Sequence, residues 1–301
     1  MATTAPTTAS GSAAPGAAAA LSVVGIWATW LISMRYSKGG MLTPLDLSLL
    51  RFGIPALVLS PFLLRTGLWP RRAGTLPLLL MIVGAGAPFF QVAAFGLLAT
   101  PASAAGVLLP GTMPLATALI GMLVLGESPD RLRQAGMLAI LAGGLLLLVG
   151  TSSGTTLGWR SYLVLPFGAI LWAIYTHAFR KSGLSAFEAG ALICFWSTVI
   201  NLPLIPLLGS NLVVAPMSEI ALQIIPQGLL SGLLATILYG VAVRMLGATK
   251  AAAYTAVTPV AAAIGGAALL GETLDGLTIA ATVVTGVGVL LSTGLLSTRR
   301  P

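Results

Sequence analysis

Charge is what this chain most lacks. Charged residues make up 7% of its 301 residues and the acids among them number seven, whereas a soluble domain carries roughly a quarter charged residues. Water therefore cannot be its main solvent. Histidine and cysteine occur once each, as His177 and Cys194. A single cysteine excludes an intramolecular disulfide and a cysteine cluster for zinc, and it leaves the redox compartment open. A catalytic site needs a nucleophile, an acid or base, or a metal. With one histidine and acids only at predicted helix ends or in loops, no such constellation is visible. The chain is expected to be no enzyme and to use no metal or cofactor. An embedded enzyme acting on a lipid-linked substrate stands as the reading from another class.

What is present is apolar length: 57% of residues are hydrophobic and the mean hydropathy is +1.00. A spanning helix needs about 20 apolar residues, so the chain has room for about ten, with the lipid bilayer as its principal partner. Apolar stretches broken by charge, glycine or proline predict spans over 17–36, 45–64, 76–98, 102–125 and 132–150, then 158–179, 186–208, 220–245, 248–270 and 274–296. Residues 1–16 carry no charge and lack the basic start of a secretory signal, so they predict a disordered tail. Residues 298–301 form a short basic tail.

The net charge of +8 does not point to nucleic acid, because the fifteen Lys and Arg come in ones and twos between apolar runs and not as a basic patch on a solvated face. They sort as topology signals. With the N-terminus inside, eleven fall on inner segments, Arg35, Lys38 and Arg160 on outer ones, and Arg51 within the second span. The positive-inside rule then puts both termini in the cytoplasm; the membrane itself is expected to be the cell inner membrane. Trp69 and Trp159 fall at predicted span ends, where indole rings favour the headgroup zone.

Shifted on itself by 145 residues, the chain lays Pro114-Leu115 and Leu125-Gly126-Glu127 on Pro259-Val260 and Leu270-Gly271-Glu272. The same shift lays Trp27-Ala28-Thr29-Trp30 on Trp172-Ala173-Ile174-Tyr175, and Arg35 on Arg180. Five helices per copy is an odd number, so the copies, 17–150 and 151–297, must run in opposite senses through the membrane. Inverted repeats of this kind occur in secondary transporters, whose substrate sites lie near mid-membrane between the repeats. The predicted fold is an all-α membrane protein of ten transmembrane helices in two inverted five-helix repeats around a central cavity.

On these residues the chain resembles the drug/metabolite transporter superfamily, in particular its ten-helix EamA-type members. The resemblance is carried by Trp172-Ala173-x-Tyr175-x4-Arg180-Lys181, by Leu50-Arg51-Phe52, and by the two Pro-to-Gly-Glu segments. It implies export of amino acids or similar small organic metabolites by alternating access through a cavity lined mainly by helices 1, 3, 4, 6, 8 and 9. The Phe89-Phe90-Gln91 segment and the Trp172 helix are similar to parts of bacterial aromatic amino acid exporters. Those carry a more polar third helix and an aromatic residue where this chain has Met113, which counts against an aromatic substrate.

Each candidate site residue also has a plainer role. Trp27 and Trp30 are three apart, as are Trp172 and Tyr175, so each pair shares a helix face. They either pack or wall a cavity, and recurrence in both copies favours the wall. Pro114 and Pro259 each remove a backbone donor within a predicted helix; they are fixed kinks, or they help paired helices bend, with Thr112, Thr258 and Tyr254 as nearby hydrogen-bonding groups. Phe90, Gln91, Met113, Thr236 and Tyr239 complete the candidate substrate-binding set, with interhelical hydrogen bonding as the alternative for Gln91 and Thr236. Arg51 reads as a structural anchor before a substrate carboxylate clamp. His177 lies about 140° round the helix from Trp172 at 3.6 residues per turn, which predicts that it faces away from the cavity as an interfacial group. Glu127 and Glu272 end helices on opposite sides and are read as capping or loop-contact groups. No acid falls within the first span, so transport is expected to be facilitative or by exchange, with a proton-coupled exporter as the alternative.

The topology is tested by cysteine labelling on a Cys194→Ala background. A cysteine placed beside Arg71 is expected to stay unmodified by an impermeant reagent added to intact cells; modification from outside overturns the map.

Overall fold

The computed structural model describes residues 14–151, 158–246, 251 and 254–293, and these are helical throughout apart from turns. The start of the ninth predicted span and the basic C-terminal tail lie outside the described residues. The first helix, Ala14–Tyr36, takes in Ala14 to Gly16, which the sequence assigns to the tail. Gly16 lies so close to Leu246 that a Cβ there would come within 2.8 Å of it, and this packing draws the helix start inward.

Helix starts follow local chemistry. Thr43 and Asp46 form a capping box ahead of Pro44–Val58, Ser185 and Glu188 form another ahead of Ala186–Asn201, and Asp275 accepts from the Thr278 N–H at the start of Gly276–Ser292. Each satisfies backbone donors that a helix leaves unpaired at its first turn. Met113–Leu125 and Thr258–Leu270 end alike, with Gly126 at φ 68° and Gly271 at φ 65°. Glycine adopts this left-handed cap without a Cβ clash, so the repeat seen in sequence is repeated in backbone geometry.

Several predicted continuous spans are interrupted. Pro44–Val58 and Ser60–Thr66 meet at 67°, where Pro61 has no N–H for the Leu57 carbonyl. Thr75–Ala85 and Ala87–Ala99 break at Gly86, and the freed Ala87 N–H donates to Ser197 Oγ at 2.9 Å. The fourth span stops at Leu108 and restarts at Met113. Met217–Gln223 passes into a π-helix, Ile224–Leu234, before Ala235–Leu246, with Pro226 removing a ladder donor. Among the described residues seven helices are long and apolar enough to cross a membrane, or eight if the bent pair is one span, and Thr258–Leu270 and Gly276–Ser292 are shorter apolar helices.

Large apolar side chains such as Leu57, Leu64, Leu123 and Leu207 stand exposed around the outside, as lipid-facing residues do, so helix association depends on close packing and not on exclusion from water. Glycine supplies the closeness. Gly136 and Gly288 bring Arg131–Thr151 against Gly276–Ser292, and a Cβ on Gly288 would come within 2.8 Å of the Gly136 carbonyl oxygen. A Cβ on Gly84 would sit 2.4 Å from the Leu171 carbonyl oxygen, which brings Thr75–Ala85 onto the Trp172 helix.

Gly288→Leu is expected to lower the melting temperature of the purified protein through overpacking, which costs about 1–3 kcal/mol. Gly25→Ala, where a Cβ meets nothing within 4 Å, is expected to be neutral or stabilising by up to about 1 kcal/mol.

Candidate cavity between the two repeats

A cavity of about 170 Å³ enters from the end of the molecule where Arg180 is exposed and runs inward to Trp27, Met113, Trp172 and Tyr239. Its aromatic floor is built by packing across helices. The Trp27 ring meets Trp172 edge-on with centroids 5.4 Å apart and lies 5.7 Å from Tyr239, and Trp172 lies 5.5 Å from Phe89. Its walls and mouth are polar: Thr117, Thr176, His177, Thr255, Glu127, Arg133 and Arg180. Aromatic walls with a few convergent polar groups are the usual make-up of a small-molecule site.

The Trp172 helix supplies Trp172, Thr176 and Arg180 at four-residue steps, a stripe that drifts about 40° round the helix per step. His177 borders that stripe beside Arg180, so it lines the same cavity as Trp172, with Nε2 3.1 Å from the Thr117 carbonyl oxygen. The sequence expectation that it faces elsewhere is corrected, because the cavity widens toward its mouth and takes in more of the helix circumference than one narrow stripe.

The fourth span is broken at the cavity. Pro114 lines it from the first turn of Met113–Leu125, and Pro259 occupies the same place in Thr258–Leu270. Neither is a mid-helix kink as predicted; at a helix start the missing N–H is one the helix would leave unpaired anyway. In the break, Thr112 Oγ1 donates to the Leu108 carbonyl at 2.6 Å.

Of the candidate substrate-binding residues, four reach the cavity: Trp27, Met113, Trp172 and Tyr239. Trp30 lies one layer further in, against Phe89, Phe90 and the Arg51 guanidinium. Tyr175 is buried, edge-on to Trp172 and stacked on Phe179, because the helix carrying Gly84 covers its side of the Trp172 helix. Phe90 is fully buried against Phe52 and Trp30. Gln91 Nε2 is buried without a partner. Thr236 donates to the Gly232 carbonyl of its own chain segment, and Tyr254 packs against the small cluster of Ala19, Ala20, Ala242 and Ala251. Thr258 is fully buried, and the wall position nearby belongs to Thr255. Sequence reasoning missed Thr117, Thr176, Glu127, Arg133 and Arg180 as lining residues. The four-residue spacing from Trp172 to Arg180 was the available signal for two of them.

The opposite end carries an ion pair that joins the two halves of the chain. Arg35 Nε lies 3.7 Å from Glu272 Oε1, and Arg35 Nη1 donates to the Leu98 carbonyl at 3.2 Å. Glu272 also accepts from the Ala102 N–H at 2.8 Å and the Ser103 N–H at 3.3 Å, across 170 and 169 positions of sequence. It caps a helix, as expected, but one in the other half of the chain. The equivalents 145 residues away, Arg180 and Glu127, line the open cavity, and no ion pair joins them among the described residues.

The model of the EamA-like transporter family matches residues 14–149 and again 159–294, two copies offset by the same 145 residues. A solved structure described only as "Crystal structure of protein" superposes with a TM-score of 0.64 at 21% identity, covering 96% of this chain and 100% of that one. It shares the fold. No curated protein matches this chain.

Water access separates wall from core. On a Cys194→Ala background, Thr117→Cys is expected to react with a small hydrophilic thiol reagent at least tenfold faster than Thr258→Cys. Equal rates would mean that the cavity is not open to water.

Proposed function

Since the chain belongs to the EamA-like transporter family, it is a membrane transporter of small solutes, and from that premise we propose that it exports amino acids or similar small organic metabolites by alternating access, with facilitative or exchange energetics. In this reading the seven long spans, the bent pair and the two shorter helices make ten crossings, arranged as two inverted repeats of five. The observation that carries the proposal is the asymmetry between equivalent groups: Arg35 and Glu272 are tied together where the molecule is closed, while Arg180 and Glu127 stand apart where it is open. With the Arg-rich end in the cytoplasm of the cell, this is an inward-open state. Closure around Arg180 and Glu127, with release of Arg35 from Glu272, would expose the solute to the other side.

Solute contact is assigned to Trp27, Met113, Trp172 and Tyr239, which form the inner surface of the cavity. Trp30, Phe90, Tyr175 and Thr258 support that surface from behind.

A second reading is favoured by His177. A histidine on the wall of an aqueous cavity within a membrane helix is a group that can carry a proton, and so a proton-coupled exporter is the competing mechanism.

Counterflow of labelled amino acids into proteoliposomes tests the function. Uptake is expected with the wild-type protein, and Trp172→Ala is expected to lower it at least tenfold without loss of folded yield; unchanged uptake by folded mutant ends the assignment of Trp172. An imposed pH gradient is expected to leave accumulation at equilibrium. Accumulation above equilibrium that His177→Ala abolishes selects the proton-coupled reading instead.

A further inference from the structure

Arg51 sits midway along Pro44–Val58 and is 6% exposed. Its guanidinium lies over the Trp30 ring at 4.6 Å, with Phe90 at 5.6 Å and Phe52 at 6.0 Å. Cation–π contact offsets part of the cost of burying that charge. It supplies no hydrogen-bond acceptor, and a guanidinium carries five N–H donors in a fixed fork. Nη1 is buried with no partner, and among the described residues Arg51 makes no ion pair.

Among the described residues no acid serves as its counterion. Of the seven acids, Asp46 accepts from Thr43, Ser210 and Asn211, Glu188 from Ser185 and Arg72, and Glu219 from the Met41 and Leu42 N–H groups. Glu272 is committed to Ala102, Ser103 and Arg35, and Asp275 to Thr278. Asp130 accepts from the Arg133 N–H, and Glu127 lines the cavity mouth. A buried cation normally has a paired anion or acceptors for its protons. Here no described acid fills that role, and the site is open to an acceptor from a bound solute.

The position of Arg51 says from where. It borders a void of about 10 Å³, room for roughly one water molecule, and Trp27, Met113 and Trp172 line both this void and the large cavity. The rings that floor the cavity therefore stand between its solvent-filled part and the unpaired guanidinium. We propose that Arg51 is the receptor for the carboxylate of the solute, reached when Trp27 and Trp172 part, so that the substrate class is a carboxylate-bearing metabolite whose apolar body rests against those two rings. This rests on the transporter reading above and narrows it. A planar fork matches a carboxylate in a two-point bond that an ammonium cannot reproduce. In a water-excluded site the bond gives selectivity, since an analogue without the carboxylate leaves the guanidinium unpaired.

The test pairs acids with their masked forms: L-phenylalanine, L-leucine and L-threonine against their carboxamides, and 3-phenylpropionate against phenethylamine. Binding is read from the ligand-induced shift in melting temperature of the purified full chain, and transport from counterflow in proteoliposomes. At least one acid is expected to bind ten times or more tightly than its amide. In Arg51→Met that preference is expected to fall to within about twofold of unity. Should Arg51→Met fail to fold, Arg51→Lys is expected to weaken the acid several-fold while leaving the amide unchanged. Amides that bind as well as acids, a folded Arg51→Met that keeps the preference, an Arg51→Lys that binds the acid like wild type, or no acid that shifts the melting temperature each overturn the proposal. A shift that depends on both carboxylate and Arg51, without counterflow, keeps the site and removes the transport reading. Counterflow with no preference for the carboxylate does the reverse.

Discussion

In hydrocarbon every backbone N–H and C=O must find its partner within the protein, and the structure of this chain follows from how it meets that demand where its helices break. At Gly86 the orphan Ala87 donor goes to Ser197 on another helix. Between Leu108 and Met113 the freed carbonyls are met by Thr112. At Ala102 and Ser103 the donors of a new helix go to Glu272, from the other half of the chain. These repairs permit interrupted helices within the bundle, one of them, at Met113, beside the cavity.

The same demand decides where charge stands. Most of the acids accept from backbone N–H groups at helix starts or turns, where a carboxylate also meets the positive end of the helix dipole. Glu272 joins this role to an ion pair, so the two halves of the chain are joined opposite the cavity mouth by a part-exposed Arg35 contact and two charge-assisted backbone bonds. An exposed pair contributes about 0–1 kcal/mol and hydrogen bonds to a charged group about 1.5–3 kcal/mol each. A tie of a few kcal/mol is of the size that separates exchanging conformers, and a solute that binds one state better can shift it.

How much of this was legible in the sequence varies by residue. Trp27 and Trp172 were found because they recur at equivalent positions and share an aromatic character that a cavity wall uses, and the cavity indeed closes on them. Trp30 and Tyr175, their partners three residues on, look equivalent in sequence. They turn into the packed interior because Arg51 draws one ring and the helix around Gly84 covers the other. His177 was misplaced by treating the wall as one narrow stripe of a helix, when the width of the cavity is set by neighbouring helices. Thr255 and Thr258 stand on either side of the turn at Ala256–Val257, so helical periodicity does not relate their directions.

Apolar run lengths and the scarcity of charge determined by themselves that this is an α-helical protein of the bilayer, since no soluble fold hides so much hydrocarbon with so few ions. The 145-residue self-similarity likewise determined that it has two copies of one unit. The tertiary structure alone decided which end of the molecule is open and that Arg51 has no acid within its reach. Periodicity along one chain fixes only the relative directions of side chains on one helix, whereas a cavity, an ion pair or an unpaired donor is defined by distances between helices far apart in sequence.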